Sequence, residues 1–91
     1  MTTGKPIKNV IFSSSAREDL EFWERENPKI LQKINSLINS ILDDPESGIG
    51  KPEKLKYELS GLWSRRINHK DRLIYEIRDD TVYILELREH Y

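Results

Sequence analysis

The apolar residues of this chain keep two rhythms, and the change from one to the other near residue 50 limits the folds open to it. Ile30, Ile34, Leu37, Ile38 and Ile41 recur at steps of three and four, the spacing of one helix face. Asn27-Pro28 marks the start of that helix, because a proline in the first turn lacks only an N–H that would have no helical partner. Asp43-Asp44-Pro45 marks its end. A helix before it is expected from Ala16, Leu20 and Trp23 at i, i+4 and i+7, with Ser15 and Glu18 as a capping box, ending near Arg25-Glu26-Asn27-Pro28. Two helices joined by so short a link make an antiparallel hairpin. Before them, Lys8 to Ser13 (KNVIFS) has the composition of a short strand.

From Leu55 onward the period is two. Leu55, Tyr57 and Leu59 alternate with polar residues, then Trp63, Arg65 and Ile67, then Leu73, Tyr75 and Ile77, and finally Tyr83, Leu85 and Leu87, with turns at Ser60-Gly61 and Asp79-Asp80. The expected class is α+β: an N-terminal strand and a two-helix hairpin packed on one face of a small antiparallel sheet of three or four strands. The other face is polar and open. Arg66, Arg72, Arg88 and His90 all fall in the polar sets of their strands, which neighbouring strands can bring together on that face.

The 91 residues suit one domain, 1–91, with residues 1–7 as a flexible N-terminal extension. Charged residues make up 34% of the chain and apolar runs are short, which argues against a membrane span. The absence of cysteine removes disulfides and thiolate metal sites. No apolar stretch follows the first lysines, so no signal peptide is read and a cytoplasmic location is expected. The formal net charge of −1 conceals an uneven distribution: residues 48–75 carry seven Lys or Arg against three Asp or Glu, while both flanking segments are acidic. A basic segment of this kind attracts polyanions.

Within that segment lies SGIGKPEKLKYELSGLWSRRI, Ser47 to Ile67. Gly48 and Gly50 fit neither a phosphate loop nor a dinucleotide fingerprint. Pro52 biases Lys51 toward an extended conformation, so the stretch reads as a shaped loop delivering Glu53 and Lys56 to the rim of the sheet. Together with RLIY (Arg72 to Tyr75) and the terminal REHY (Arg88 to Tyr91), it resembles the YoeB toxins of the RelE-like superfamily in order and spacing. The resemblance runs from about Lys8 to the last residue. It implies the RelE-like fold and the toxin of a type II toxin–antitoxin pair, a ribosome-dependent endoribonuclease that cuts messenger RNA in the ribosomal A site. Carried over motif by motif, Glu53 is the general base, Arg72 the phosphate-stabilising arginine and His90 the general acid. Lys51, Lys56, Arg65, Arg66 and Tyr91 match positions that contact RNA or support the site. No cofactor or metal is implied. The implied partners are a YefM-like antitoxin, the ribosome and mRNA, operator DNA only through the antitoxin, and a possible homodimer; no membrane is implied.

The chemistry agrees with these residue types. Cleavage of RNA by its own 2′-hydroxyl needs a base for that proton, an acid for the departing 5′-oxygen and cations for the charge growing on phosphate. Histidine, with an ordinary pKa of about 6.5, can serve as the acid near neutrality. An ordinary glutamate, at about 4.3, is a weak base there, so the ribosome is expected to complete the site by positioning the RNA. One position departs from the family: where many relatives have histidine before the motif arginine, this chain has Asp71, which could draw Arg72 into a local ion pair. Asp43-Asp44 and Asp79-Asp80 read as a helix end and a turn, His69 as a solvated turn residue, and Trp23 and Trp63 as core or interface. The alternative is a non-catalytic RelE/ParE-like binding module, acting on another target or only pairing with an antitoxin; the KPE…HY site favours the nuclease.

Overall fold

The structure, a computed structural model, describes residues 7–88. Strand β1 (Asn9–Phe12) is followed by helices α1 (Ser14–Glu26) and α2 (Pro28–Asp43), then by β2 (Glu53–Lys54), a 3₁₀ turn at Tyr57–Leu59, and strands β3 (Trp63–Arg66), β4 (Arg72–Arg78) and β5 (Thr81–Glu86). The class is the expected α+β, a helix pair on one face of a sheet.

Helix α2 follows its stripe, with Ile34, Leu37 and Ile41 buried and Pro28 in its first turn. Asn27 alone joins the helices, closing α1 through its N–H to the Trp23 carbonyl and serving as the N-cap position of α2. The cap of α1 differs from the expected Ser15–Glu18 box. Ser13 holds that place: its Oγ accepts the Ala16 N–H at 3.0 Å and donates to the Leu85 carbonyl at 2.7 Å. One hydroxyl thus starts the helix and fastens it to β5. With the cap at Ser13, the third helical position is Ala16, which has no carboxylate to close a box.

The five strands lie in the order β1-β5-β4-β3-β2. β2, β3, β4 and β5 pair antiparallel in succession, as their short connections predict, while β1 pairs parallel with β5, so the sheet is mixed. Alternation reports which face a residue takes and carries no information about strand direction. The segment Leu55 to Leu59 is not strand. Tyr57–Leu59 form the 3₁₀ turn, and β2 is confined to the two residues before it.

β5 also departs from simple alternation. Ile74 pairs with Glu86 and Tyr75 with Ile84, leaving Leu85 as an extra residue, a β-bulge. The bulge reverses the phase of the strand, so Val82 and Ile84 point into the core before it and Leu87 after it. Ile84 therefore leaves the polar set that its spacing from Glu86 suggests. The core forms where Ile34, Leu37 and Ile41 of α2 and Ala16 and Trp23 of α1 meet Leu73, Tyr75, Val82 and Ile84 of the sheet. Full burial of each large apolar side chain contributes roughly 1.5–3 kcal/mol. Ile7 and Val10 pack at its margin.

Candidate functional site

Register fixes which side chains share the face turned away from the helices. Glu53 lies opposite Ser64, Ser64 opposite Ile74, and Ile74 opposite Glu86, forming one row across four strands. The neighbouring row is Arg66 opposite Arg72. Paired residues, and residues two apart on one strand, share a face, so Glu53, Arg66, Arg72 and Glu86 are set on the same surface. Ser64 and Ile74 are buried beneath it, Glu53 and Arg66 are exposed, and Arg72 is half-buried. An acidic group and two guanidinium groups thus share one open surface, with Glu86 extending the row in a place for which sequence alone offers no role.

Arg72 is oriented by the turn before it. Its Nη1 donates to the carbonyls of Asn68 at 2.9 Å and Asp71 at 3.0 Å. Asn68 Oδ1 accepts the backbone N–H groups of Lys70 and Asp71, and the buried Asp71 carboxylate accepts from Asn68 Nδ2 at 3.0 Å. Asp71 therefore helps to build the turn that aims Arg72. His69 is exposed in the same turn.

Arg65, predicted among the RNA-binding or supporting residues, is fully buried on the opposite, helix-facing side. Its Nε donates to Tyr75 Oη, Nη1 to Ser40 Oγ and the Ile49 carbonyl, and Nη2 to the carbonyls of Asp44 and Ser47, all within 3.1 Å. It supports the site by shaping the loop between α2 and β2, out of reach of a ligand on the open face. Asp44 grips the same loop. Its carboxylate accepts the Glu46 N–H and the Ser47 hydroxyl, and these bonds, with Arg65 nearby, hold its pKa below the usual 3.8. Tyr75, whose hydroxyl donates to the Pro45 carbonyl at 2.7 Å, has its pKa pushed above 10.0, chiefly by burial.

The loop reaches β2 through two glycines in the left-handed region, Gly48 (φ 123°) and Gly50 (φ 83°). A Cβ on Gly48 would collide with Ser40 Oγ, and one on Gly50 would stand 2.6 Å from Leu37 Cδ2. The Gly50 carbonyl accepts the Arg66 N–H at 2.7 Å, tying the loop to β3. Lys51, expected to be extended before Pro52, has φ 52°. The tight approach of Gly50 to α2 and β3 on one side and the entry into β2 on the other overrule the local preference. Lys51, Lys54 and Lys56 are all exposed, and Lys54 Nζ lies 5.9 Å from the Trp63 ring centroid.

After Glu86, helix α1 receives the chain. Leu87 donates its N–H to Asp19 Oδ2 at 2.9 Å, and its carbonyl accepts from Trp23 Nε1 at 2.8 Å. Trp23 is the expected core residue, with this second task. Arg88 lies over Phe22, 3.5 Å from guanidinium carbon to ring centroid, so it joins α1 and not Arg66 and Arg72 as its place in the polar set suggests. His90 and Tyr91, predicted as acid and neighbour, lie outside the described residues.

Comparison with known proteins agrees with this architecture. The family described as the YoeB-like toxin of bacterial type II toxin–antitoxin systems matches residues 12–91. The toxin YoeB of Mycobacterium bovis is 48% identical over 85 residues, covering 93% of this chain and 100% of that protein. Among solved structures, a YoeB/ParE toxin from Agrobacterium tumefaciens superposes with a TM-score of 0.89 at 35% identity, covering 92% of this chain and 100% of that one. The toxin in a heterotetrameric YoeB–YefM toxin–antitoxin complex from Staphylococcus aureus does so with a TM-score of 0.85 at 41% identity, covering 96% and 100%. With its RelE-like fold and a match running through the site loop to the last residue, the chain belongs to the YoeB family of type II toxin–antitoxin toxins.

Proposed function

We propose that this toxin is a ribosome-dependent endoribonuclease cutting messenger RNA in the ribosomal A site, with Glu53 as general base, Arg72 and Arg66 as phosphate supports and His90 as general acid. The register that sets Glu53, Arg66 and Arg72 on one open face carries the reading. The 2′-oxygen attacks phosphorus and gives its proton to Glu53. The bond to the 5′-oxygen breaks as His90 protonates that oxygen, leaving a 2′,3′-cyclic phosphate, and the two guanidinium groups stabilise the charge gathered on phosphate. Protons and charge balance among these side chains, so the reaction as proposed calls on no metal. Glu53 and Arg66 stand exposed on the surface, which suits an enzyme whose substrate is positioned by the ribosome.

A YefM-like antitoxin is the proposed partner, from the complex of the Staphylococcus aureus relative. An acidic segment folding over Lys51, Lys56, Arg66 and Arg72 would occupy the RNA's place, and operator DNA would be bound through the antitoxin. Primer extension on a translated message tests the nuclease. Wild-type protein should cut at the A-site codon only with ribosomes, and Glu53→Gln or His90→Ala should each lower the rate by ~10²–10⁴. Absence of cutting by folded wild-type protein would be evidence for the non-catalytic binding module, and full activity in both variants would overturn the roles of Glu53 and His90.

A further inference from the structure

Tyr57 is at odds with the usual behaviour of an aromatic residue in three respects. It is 91% exposed, the most open of the large apolar side chains among the described residues. It has φ 59°, a left-handed backbone that bulky residues rarely adopt. And the turn around it is closely hydrogen-bonded. Leu55 N–H donates to the Leu62 carbonyl at 2.9 Å, and Leu59, Ser60 and Leu62 N–H groups donate to the carbonyls of Lys56, Tyr57 and Leu59, each at 3.0 Å. A left-handed tyrosine costs backbone energy, and an exposed ring returns none of it as packing. The turn therefore holds the ring outward on a firm base, and the arrangement invites a ligand with a flat apolar face.

The surroundings indicate which ligand. Lys51 and Lys56 are exposed along the approach from the loop to the turn, whereas Lys54, paired with Trp63, turns to the other face of β2. Glu58, next in sequence, is exposed too and repels a phosphate chain, which leaves the lysine-bearing stretch 51–56 as its path. Tyr57 follows Glu53 by four residues, so their Cα atoms are at most ~14 Å apart. Cations along a backbone path and a projecting aromatic ring form the combination that binds single-stranded nucleic acid without reading its sequence. We propose that Tyr57 is a base-stacking platform for the message, holding a nucleotide near the scissile bond while Lys51 and Lys56 take the adjoining phosphates. Tyr57 is on this account a positioning residue. The proposal rests on the endoribonuclease reading for its polymer, and its test separates the two.

The test uses ribosomes programmed with a message whose A-site codon is 2′-deoxy, and so uncleavable, and carries 2-aminopurine. Stacking on the ring quenches that base. Tyr57→Phe keeps the ring and should bind within about threefold of wild type, with the quench intact. Tyr57→Asn tolerates the left-handed backbone and lacks the ring; it should bind about 5- to 100-fold more weakly, without the quench and without a lower melting temperature. Should Tyr57→Asn misfold, Tyr57→Gly removes the ring with still less backbone demand. Wild-type affinity and quench in the ringless variants, or no binding by wild-type protein, would overturn the proposal. Unchanged RNA binding with weakened binding of a YefM-like antitoxin would overturn it in favour of a protein contact. On an all-ribose message, ring-dependent binding without cutting would sink the nuclease reading and leave the platform standing.

Discussion

Arg65 has five guanidinium N–H groups, and five acceptors meet them from α2, the loop after it and β4. Its positive charge is buried among carbonyl oxygens at the C-terminal end of α2, where the helix dipole is negative. Such a group is held by completeness: each lost donor strands an acceptor. Arg65→Met should lower stability by ~3 kcal/mol and the melting temperature by ~12–24 °C in thermal denaturation, and the Gly48–Gly50 loop should lose order with it. Tyr75 carries a pH signature of the same cluster. Its phenol is kept neutral in the folded state, so the unfolded chain ionises first. This contribution is constant below about pH 10 and is lost as pH climbs from there through the raised folded value. Tyr75→Phe should be less stable than wild type at neutral pH, having lost two hydrogen bonds, yet decline less steeply in chemical denaturation above pH 10. Alternation placed Arg65 on the inner set with Trp63 and Ile67, and that much of its role was legible. Its charge pointed the other way, toward RNA. The five partners that reconcile the two come from a loop whose path no local pattern encodes.

Helix α2 was readable because its evidence is local: stripe, proline and stop signal all sit within its own residues. The N-cap of α1, the direction of β1 and the bulge in β5 were not, because each is settled by a partner far along the chain. Ser13 reaches Leu85, and Lys8 and Asn9 reach the Asp80 carbonyl. The three-residue alternation at Leu55 to Leu59 misleads for a related reason, since so short a pattern fits a 3₁₀ turn as well as a strand. The site residues Arg66 and Arg72 were legible as members of a polar face and Glu53 as a loop residue at the rim of the sheet, but the row containing Glu86 needed the bulge. These elements converge on Leu87. There the ladder ends and α1 replaces it, with Asp19 and Trp23 binding one backbone unit on both sides. The direction of the chain at Leu87 is thus set by a helix and not by the sheet. Asp19→Ala should accelerate amide hydrogen exchange at Leu87 by about 5- to 150-fold, the loss of ~1–3 kcal/mol of protection, while the amides of β3 exchange as before. Equal acceleration at Leu87 and in β3 would mean that Asp19 acts on global stability.

At the scale of the molecule the balance of charge is close to neutral, and a near-neutral protein has little long-range attraction for a polyanion. What this chain has is an arrangement: arginines 66 and 72 share the open sheet face and lysines 51 and 56 flank β2 beside it, whereas the carboxylates are concentrated in α1 and toward the C-terminus. If the arrangement and not the total governs association, two changes of identical net charge must differ. Lys51→Gln with Lys56→Gln removes two cations beside the open face. Lys29→Gln with Lys33→Gln removes two from exposed positions of α2. Each phosphate neutralised on a single strand contributes about 0.7 to the slope of log K against log salt. Binding to ribosomes programmed with the uncleavable message, measured between low and physiological salt, should therefore be about 1.4 shallower in slope for the first pair and match wild type for the second. Equal loss in both pairs would make the total charge the governing quantity. A loss confined to the first would explain how a slightly acidic toxin can engage an RNA: most of the repelling charges stand on other elements, and at 0.15 M ionic strength a screening length of about 8 Å weakens their influence on the site.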